Sequence, residues 1–128
     1  MRKLPFPDRF SPLPTEPGPD EADRSAEGAP DDFTRYVITL TKRPGQRLSE
    51  PLIRAHVAHL RQLDAAGRLI LCGPFADGQG GMIIVRAGSL AEAEAIAQAD
   101  PFVTSGTEDY TVRTWHLSCE ANNHMGMG

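Results

Sequence analysis

The pattern of apolar and polar positions predicts four strands. Residues 33–41 are rich in β-branched and aromatic side chains, and residues 82–86 form a short apolar stretch after a glycine-rich turn. Residues 107–117 alternate between two side-chain sets, as expected for a strand with two different faces. Residues 68–73 are instead an almost continuous apolar run, which predicts a central or well-covered strand.

Two further segments have the spacing of amphipathic helices. In the first, Ser49 is a helix cap, Pro51 fits the first turn, and Gly67 marks the end. Its apolar stripe includes one histidine, His56, while His59 lies at the edge of that stripe. In the second, a capping box begins at Ser89, and a proline that follows Asp100 ends the helix.

Asp100 is the unusual residue of the second helix. It lies at the C-terminal end, where the helix dipole disfavours an anion. The helical spacing also places it on the same face as Ala93, Ile96 and Ala97, which is the face expected to be buried. A buried carboxylate needs a hydrogen-bonding or charged partner, so we expect one near Asp100.

The element order β-α-β-β-α-β predicts a ferredoxin-like α+β fold, with two helices on one face of a four-stranded antiparallel sheet. The other face of the sheet would then be apolar and uncovered. A symmetric partner sheet is the simplest cover, so we expect a homodimer that pairs through this open face.

Composition divides the chain into three parts. Residues 1–32 hold seven of the eleven prolines and many acidic residues, which predicts a loosely ordered N-terminal extension. Phe6, Phe10 and Leu13 are its candidate docking residues. Residues 33–117 form the predicted domain, and residues 118–128 a polar tail.

Charge and residue usage exclude several function classes. The formal net charge of −4 argues against nucleic-acid binding. No apolar run approaches the length of a membrane span, and the N-terminus lacks the apolar segment of a signal peptide. The two cysteines fit no disulfide framework, so a cytoplasmic location is expected.

The predicted topology brings a set of functional side chains to one end of the sheet: His56, Gly73, Pro74, Asp77 and Asp100. A carboxylate beside an imidazole fixes the tautomer of the ring, which suits it to act as a general base near neutral pH. Two structural interpretations stay open at this stage. His56 could be a core histidine bonded to a backbone carbonyl, and Asp100 could simply fix the turn into Phe102.

Other candidate sites have weaker patterns. The glycine-rich segment 77–81 connects two strands and precedes no helix, so a hairpin turn is a better interpretation than a phosphate-binding loop. The spacing of His116, Cys119 and His124 matches no standard zinc pattern. Cys72 fits a small buried apolar side chain better than a nucleophile.

An ordered set of motifs between residues 35 and 115 resembles the YCII family of YciI-like proteins. The set comprises His56 with Leu60 and Leu63, Gly67-Arg-Leu69, Gly73-Pro-Phe75, Asp77-Gly78, Gly81-Met-Ile83, Ser89-Leu90 with Glu92 and Ala93, and Ala99-Asp-Pro-Phe-Val103 with Gly106. The resemblance implies a dimeric α/β barrel and an active site on a His–Asp pair, here His56 and Asp100. His59 and the proline-rich extension are not part of the pattern.

The resemblance also implies a reaction class. One branch of the family resembles enzymes that remove chloride from chlorinated hydroxyquinols, and several branches need no metal or organic cofactor. We therefore expect a cofactor-independent enzyme of lyase or isomerase type, with a small aromatic or quinol-like ligand. The competing hypothesis is a ligand-binding or assembly module without turnover.

Overall fold

The computed structural model of this chain describes residues 32–128. The predicted N-terminal extension, with Phe6, Phe10 and Leu13, lies outside the described residues except for its last position. Within the described range, none of the helices is long and apolar enough to cross a membrane.

The element order is the predicted one, with strand and helix limits within about two residues of expectation. The main elements are β1 (Thr34–Lys42), α1 (Glu50–Ala65), β2 (Leu69–Pro74), β3 (Gly80–Val85), α2 (Leu90–Gln98) and β4 (Glu108–His116). A one-turn helix, α3 (Pro101–Thr104), follows α2 directly. The sequence did not predict it, since a proline that ends one helix can equally occupy the first turn of the next.

The four strands form one antiparallel sheet in the order β2-β3-β1-β4. At its centre, Ile38 of β1 lies opposite Ile83 of β3 and Val112 of β4. This arrangement confirms the predicted ferredoxin-like fold. It also brings the start of β4 beside the end of β1, because Lys42 pairs with Glu108.

The core lies between one face of the sheet and the helices. Tyr36, Ile38 and Leu40 are alternate residues of β1, and all three are buried against apolar residues of the helices, including Ala93 and Ala97. Alanines at these α2 positions let the helix approach the sheet closely. The packing fixes the rotation of α2 and therefore the direction in which its last residues point.

The prediction for β2 was wrong. The strand is an edge strand that pairs with β3, and its side chains are largely exposed, with Leu71 at 53%. Cys72, expected to be buried, is exposed as well. An apolar run does not distinguish a strand covered by protein from an edge strand that borders a cavity, and β2 is of the second kind.

Candidate active site

Asp100 lies at the junction of α2 and α3 and is almost fully buried, at 1% exposure. Its Oδ1 accepts a hydrogen bond of 2.9 Å from the backbone N–H of Phe102, which makes Asp100 the N-cap of α3. The same oxygen lies 2.8 Å from Nδ1 of His56. The acid that is poorly placed at the end of α2 is thus well placed at the start of α3.

His56 is held on two sides. Asp100 contacts its Nδ1, and the Phe102 ring stacks on the imidazole with ring centroids 3.9 Å apart and planes 9° from parallel. A carboxylate that accepts at Nδ1 keeps the proton on that nitrogen, so Nε2 is the accepting atom of the neutral ring. Nε2 is therefore the ring nitrogen that can accept a further hydrogen bond.

The imidazole lines a cavity of about 410 Å³ between α1 and the β2–β3 side of the sheet. This volume lies in the range of about 300–1,000 Å³ that is usual for small-molecule sites. Its walls are mostly apolar, and the ionisable side chains among them are those of His56, Cys72 and Glu108. The full set of apolar and glycine lining residues is Leu40, Leu48, Ile53, Val57, Leu60, Gly73, Pro74, Gly80, Gly81, Met82, Ile83 and Phe102.

The structure brings most of the predicted site residues together. Gly73 and Pro74, at the end of β2, form part of the cavity wall beside His56. Asp77 does not: it is exposed on the β2–β3 turn, and its Oδ1 accepts a hydrogen bond from the Gln79 backbone at 2.9 Å. The expected convergence of Asp77 on the site was therefore wrong, because its carboxylate stabilises the hairpin turn.

Sequence reasoning missed Glu108. This glutamate begins β4, lines the cavity and is only 2% exposed. Burial raises the pKa of its carboxyl, and the nearby charge of Asp100 raises that pKa further. The strand pattern did indicate that Glu108 is buried, because residues 108, 110 and 112 lie on the same face of β4, and Tyr110 and Val112 pack against the core.

His59 lies on α1, three positions after His56, in a different environment. Its Nε2 is buried and has no hydrogen-bond partner among the described residues. Burial lowers the pKa of His59, an effect that the charge of Asp100 and hydrogen bonding at the Ile96 backbone partly oppose. His59 is not among the residues that line the cavity.

The C-terminal residues contain a 3₁₀ turn, Glu120–Asn122, and a further turn, Asn123–Gly126, in which Asn123, His124 and Met125 have left-handed backbone angles. Nε2 of His124 lies 3.6 Å from a Glu120 carboxylate oxygen. Between residues 32 and 128, no group of three or more His, Cys, Asp or Glu side chains is arranged to hold a metal ion.

Comparison with known proteins gives two informative relatives. The uncharacterized protein YjpA of Bacillus subtilis strain 168 is 38% identical over 85 residues, which is 66% of this chain and 96% of YjpA. The structure of 5-chloro-2-hydroxyhydroquinone dehydrochlorinase (TftG) from Burkholderia phenoliruptrix AC1100, in complex with 2,5-dihydroxybenzoquinone, is 26% identical with a TM-score of 0.56. That match covers 63% of this chain and 92% of TftG.

A third match is more distant. Hydroxynitrile lyase from Passiflora edulis is 15% identical, with a TM-score of 0.41, over 66% of this chain and 93% of that enzyme. The sequence profile of the YCII-related domain matches residues 34–116, from the first strand to the last residue of β4. The chain therefore belongs to the family of YCII-related domains.

Proposed function

We propose that this chain is an enzyme that transfers a proton on a small aromatic or quinol-like compound, with His56 as the general base. The observation that carries the proposal is the 2.8 Å contact between Nδ1 of His56 and Asp100, at the wall of a 410 Å³ cavity. A base that is oriented by a buried acid and faces a ligand-sized cavity has the geometry that proton abstraction requires.

Each contact of His56 has a role in this reaction. Nε2 accepts a proton from a hydroxyl or an acidic C–H of the substrate, and the imidazolium that forms is stabilised by Asp100. The second hydrogen bond to Asp100, from the Phe102 backbone, fixes the carboxylate so that it does not rotate during the transfer. The Phe102 ring, stacked on the imidazole, fixes the plane of the base.

The cavity walls support a flat, apolar substrate with few polar groups. Apolar walls exclude water and strengthen the interaction between the base and a substrate hydroxyl. TftG, which is 26% identical to this chain, is a dehydrochlorinase whose structure holds 2,5-dihydroxybenzoquinone. Hydroxylated quinones and quinols, including chlorinated ones, are therefore the first substrates to test, and the reaction would be an elimination or an isomerisation.

The test is turnover of a panel of small quinols and hydroxyquinones by the full chain and by His56→Gln and Asp100→Asn. General acid–base catalysis contributes about 10²- to 10⁴-fold, so each variant should lose activity by about that factor while it remains folded. The matched control is His116→Gln, which changes an exposed histidine at the end of β4.

Two outcomes would contradict the proposal. One is a compound turned over equally well by the wild-type chain and His56→Gln. The other is a ligand that binds in the cavity and is never converted, in which case the chain is a ligand-binding module.

We further propose that a second copy of the chain covers the open face of the sheet. Met82 and Trp115 are 37% and 45% exposed, and they lie on the face opposite to the buried Ile38, paired with Thr39 and Arg35 of β1. Arg35 is the exception on this face, since it is only 3% exposed. Trp115→Glu should convert a dimer to a monomer in analytical ultracentrifugation. The control Ala58→Glu places the same charge on the exposed side of α1 and should leave the dimer intact.

A further inference from the structure

Glu108 is a buried carboxyl group without an evident structural purpose. It is 2% exposed, and its Oε1 is buried with no hydrogen-bond partner among the described residues. Asp100 also has one buried oxygen, Oδ2, without a partner among the described residues, but its Oδ1 contacts Nδ1 of His56 and accepts a hydrogen bond from the Phe102 backbone N–H. A buried acid that only stabilises the fold is expected to be paired in this way, since leaving such a group unpaired opposes folding.

The position of Glu108 indicates what it could bind. The side chain lines the same cavity as His56, so one bound molecule could touch both. The register of β4 on β1 makes this possible, because Glu108 is paired with Lys42 beyond Leu40, at the end of the sheet where the cavity lies. The apolar remainder of the wall leaves these two residues as the strongest polar groups available to a ligand.

The surroundings of Glu108 raise the pKa of its carboxyl above the ordinary value, chiefly through burial. Burial has the largest influence and raises the pKa of the Glu108 carboxyl, and the negative charge of Asp100 raises it further. His56, from α1, and Lys42, from β1, lower that pKa but do not reverse the shift. The carboxyl thus keeps its proton to a higher pH than an exposed glutamate, and a protonated carboxyl donates a hydrogen bond where a carboxylate only accepts.

We propose that Glu108 is the proton donor of this site, acting on an oxygen of the same substrate from which His56 removes a proton. The assignment rests on the proposed function of His56 and narrows the substrate to compounds with a hydroxyl or acidic C–H on one side and a carbonyl oxygen on the other. Hydroxyquinones have this arrangement.

The proton transfers balance without an oxidant or a reductant. At His56, an O–H or C–H bond of the substrate breaks and an N–H bond forms at Nε2. At Glu108, the carboxyl O–H bond breaks and a new O–H bond forms on the carbonyl oxygen. The product is a tautomer of the substrate, and the site is restored when the proton on His56 returns to Glu108 through solvent.

The test is the affinity of the full chain for 2,5-dihydroxybenzoquinone, followed by its absorbance between about pH 5 and 9. If a protonated Glu108 donates to the ligand, the affinity of the wild-type chain falls up to tenfold per pH unit once the carboxyl ionises. Glu108→Gln keeps the size and a neutral N–H donor but does not titrate, so its affinity should lack that alkaline decline.

Two further variants make the result specific. Glu108→Asp keeps an ionisable group and should keep an alkaline decline, which distinguishes loss of the acid from loss of the fold. Asp109→Asn changes the neighbouring acid, which is exposed and paired with Arg43, and should behave as the wild-type chain. Circular dichroism of each variant confirms that it is folded.

The outcomes separate this assignment from the function proposed for His56. An alkaline decline that persists in Glu108→Gln, with affinity lost in His56→Gln, overturns the role of Glu108 and leaves that of His56 standing. If neither substitution changes the affinity or its pH dependence, both proposals fail. We expect the alkaline decline in affinity to disappear in Glu108→Gln and to persist in Glu108→Asp and Asp109→Asn.

Discussion

The surroundings of His56 and His59 differ sharply, although the two residues lie close together on α1. His56 has a carboxylate on one ring nitrogen, an aromatic ring on its face and a cavity at its edge. His59 has a backbone neighbour at Ile96, and its Nε2 is buried without a partner in the described part of the chain. One histidine is paired with a buried acid and lines the cavity, whereas the other lies outside the cavity and has a lowered pKa because of burial.

The difference arises from the elements that face α1. The α2–α3 junction places Asp100 opposite His56, and Phe102 follows two residues later to stack on the ring. His59 faces the last turns of α2, where it has hydrogen bonding at the Ile96 backbone, and Asp100 acts on it through its charge. The position of a histidine on its own helix therefore does not determine its chemistry, since the partner element supplies the acid.

The largest expected effect comes from removing the ring that supports His56. Phe102 is 7% exposed, and Phe102→Ala should lower the free energy of unfolding by about 3–5 kcal/mol, because it leaves a cavity between α3 and α1. Chemical denaturation measures this. Phe75→Ala, at a position 39% exposed, is the control and should cost about 1 kcal/mol or less. Equal losses would show that Phe102 is not a packing residue of the site.

A smaller loss in the free energy of unfolding should follow when His56 loses its carboxylate partner, as His59 lacks one. Asp100→Ala removes both the N-cap of α3 and the partner of Nδ1, and should cost about 2 kcal/mol. Asp100→Asn retains a capping oxygen and should cost less than the alanine variant. If the two variants are equally stable, the N-cap contributes nothing and the account of the α2–α3 junction is wrong.

The smallest effect concerns His59 and depends on pH. Because burial lowers the pKa of His59 in the folded state, the unfolded chain binds a proton first as pH falls below the ordinary value of 6.5. The folded state thus loses stability from about pH 6.5 downward, until His59 is protonated in both states. His59→Gln should reduce this loss, as measured by unfolding at pH 7.5 and pH 5.5, whereas the exposed His116→Gln should not. If His59→Gln loses as much stability between pH 7.5 and pH 5.5 as the wild-type chain does, His59 is not the source of the pH dependence.

The fold could be predicted from the sequence because its signals are local. Helix caps, prolines at helix ends and side-chain alternation along the strands predicted the order of the elements. The short connections between those elements then favoured the ferredoxin-like topology. The contact between His56 and Asp100 followed from that topology, since both residues lie on inward faces at the same end of the sheet.

Other features depend on packing that local patterns do not record. The apolar run of β2 borders a cavity and is not covered by a second layer of protein. The sequence periodicity cannot distinguish these two situations. The predicted capping box is only half formed: Ser89 caps the helix, but the Glu92 carboxylate accepts from the Gly88 backbone and pairs with Arg68. Glu108 was missed because an acidic side chain is rarely buried, although the alternation of β4 put it on the face that packs against the core.

The central claim is that His56, and not His59, is the histidine that meets a ligand. Nitrogen-15 NMR of the histidine rings, during titration of the folded chain with 2,5-dihydroxybenzoquinone, tests this most directly. We predict a resting His56 with its proton on Nδ1, a ligand-dependent shift at His56 Nε2, and no shift at His59. A ligand response at His59 with none at His56 would contradict the account.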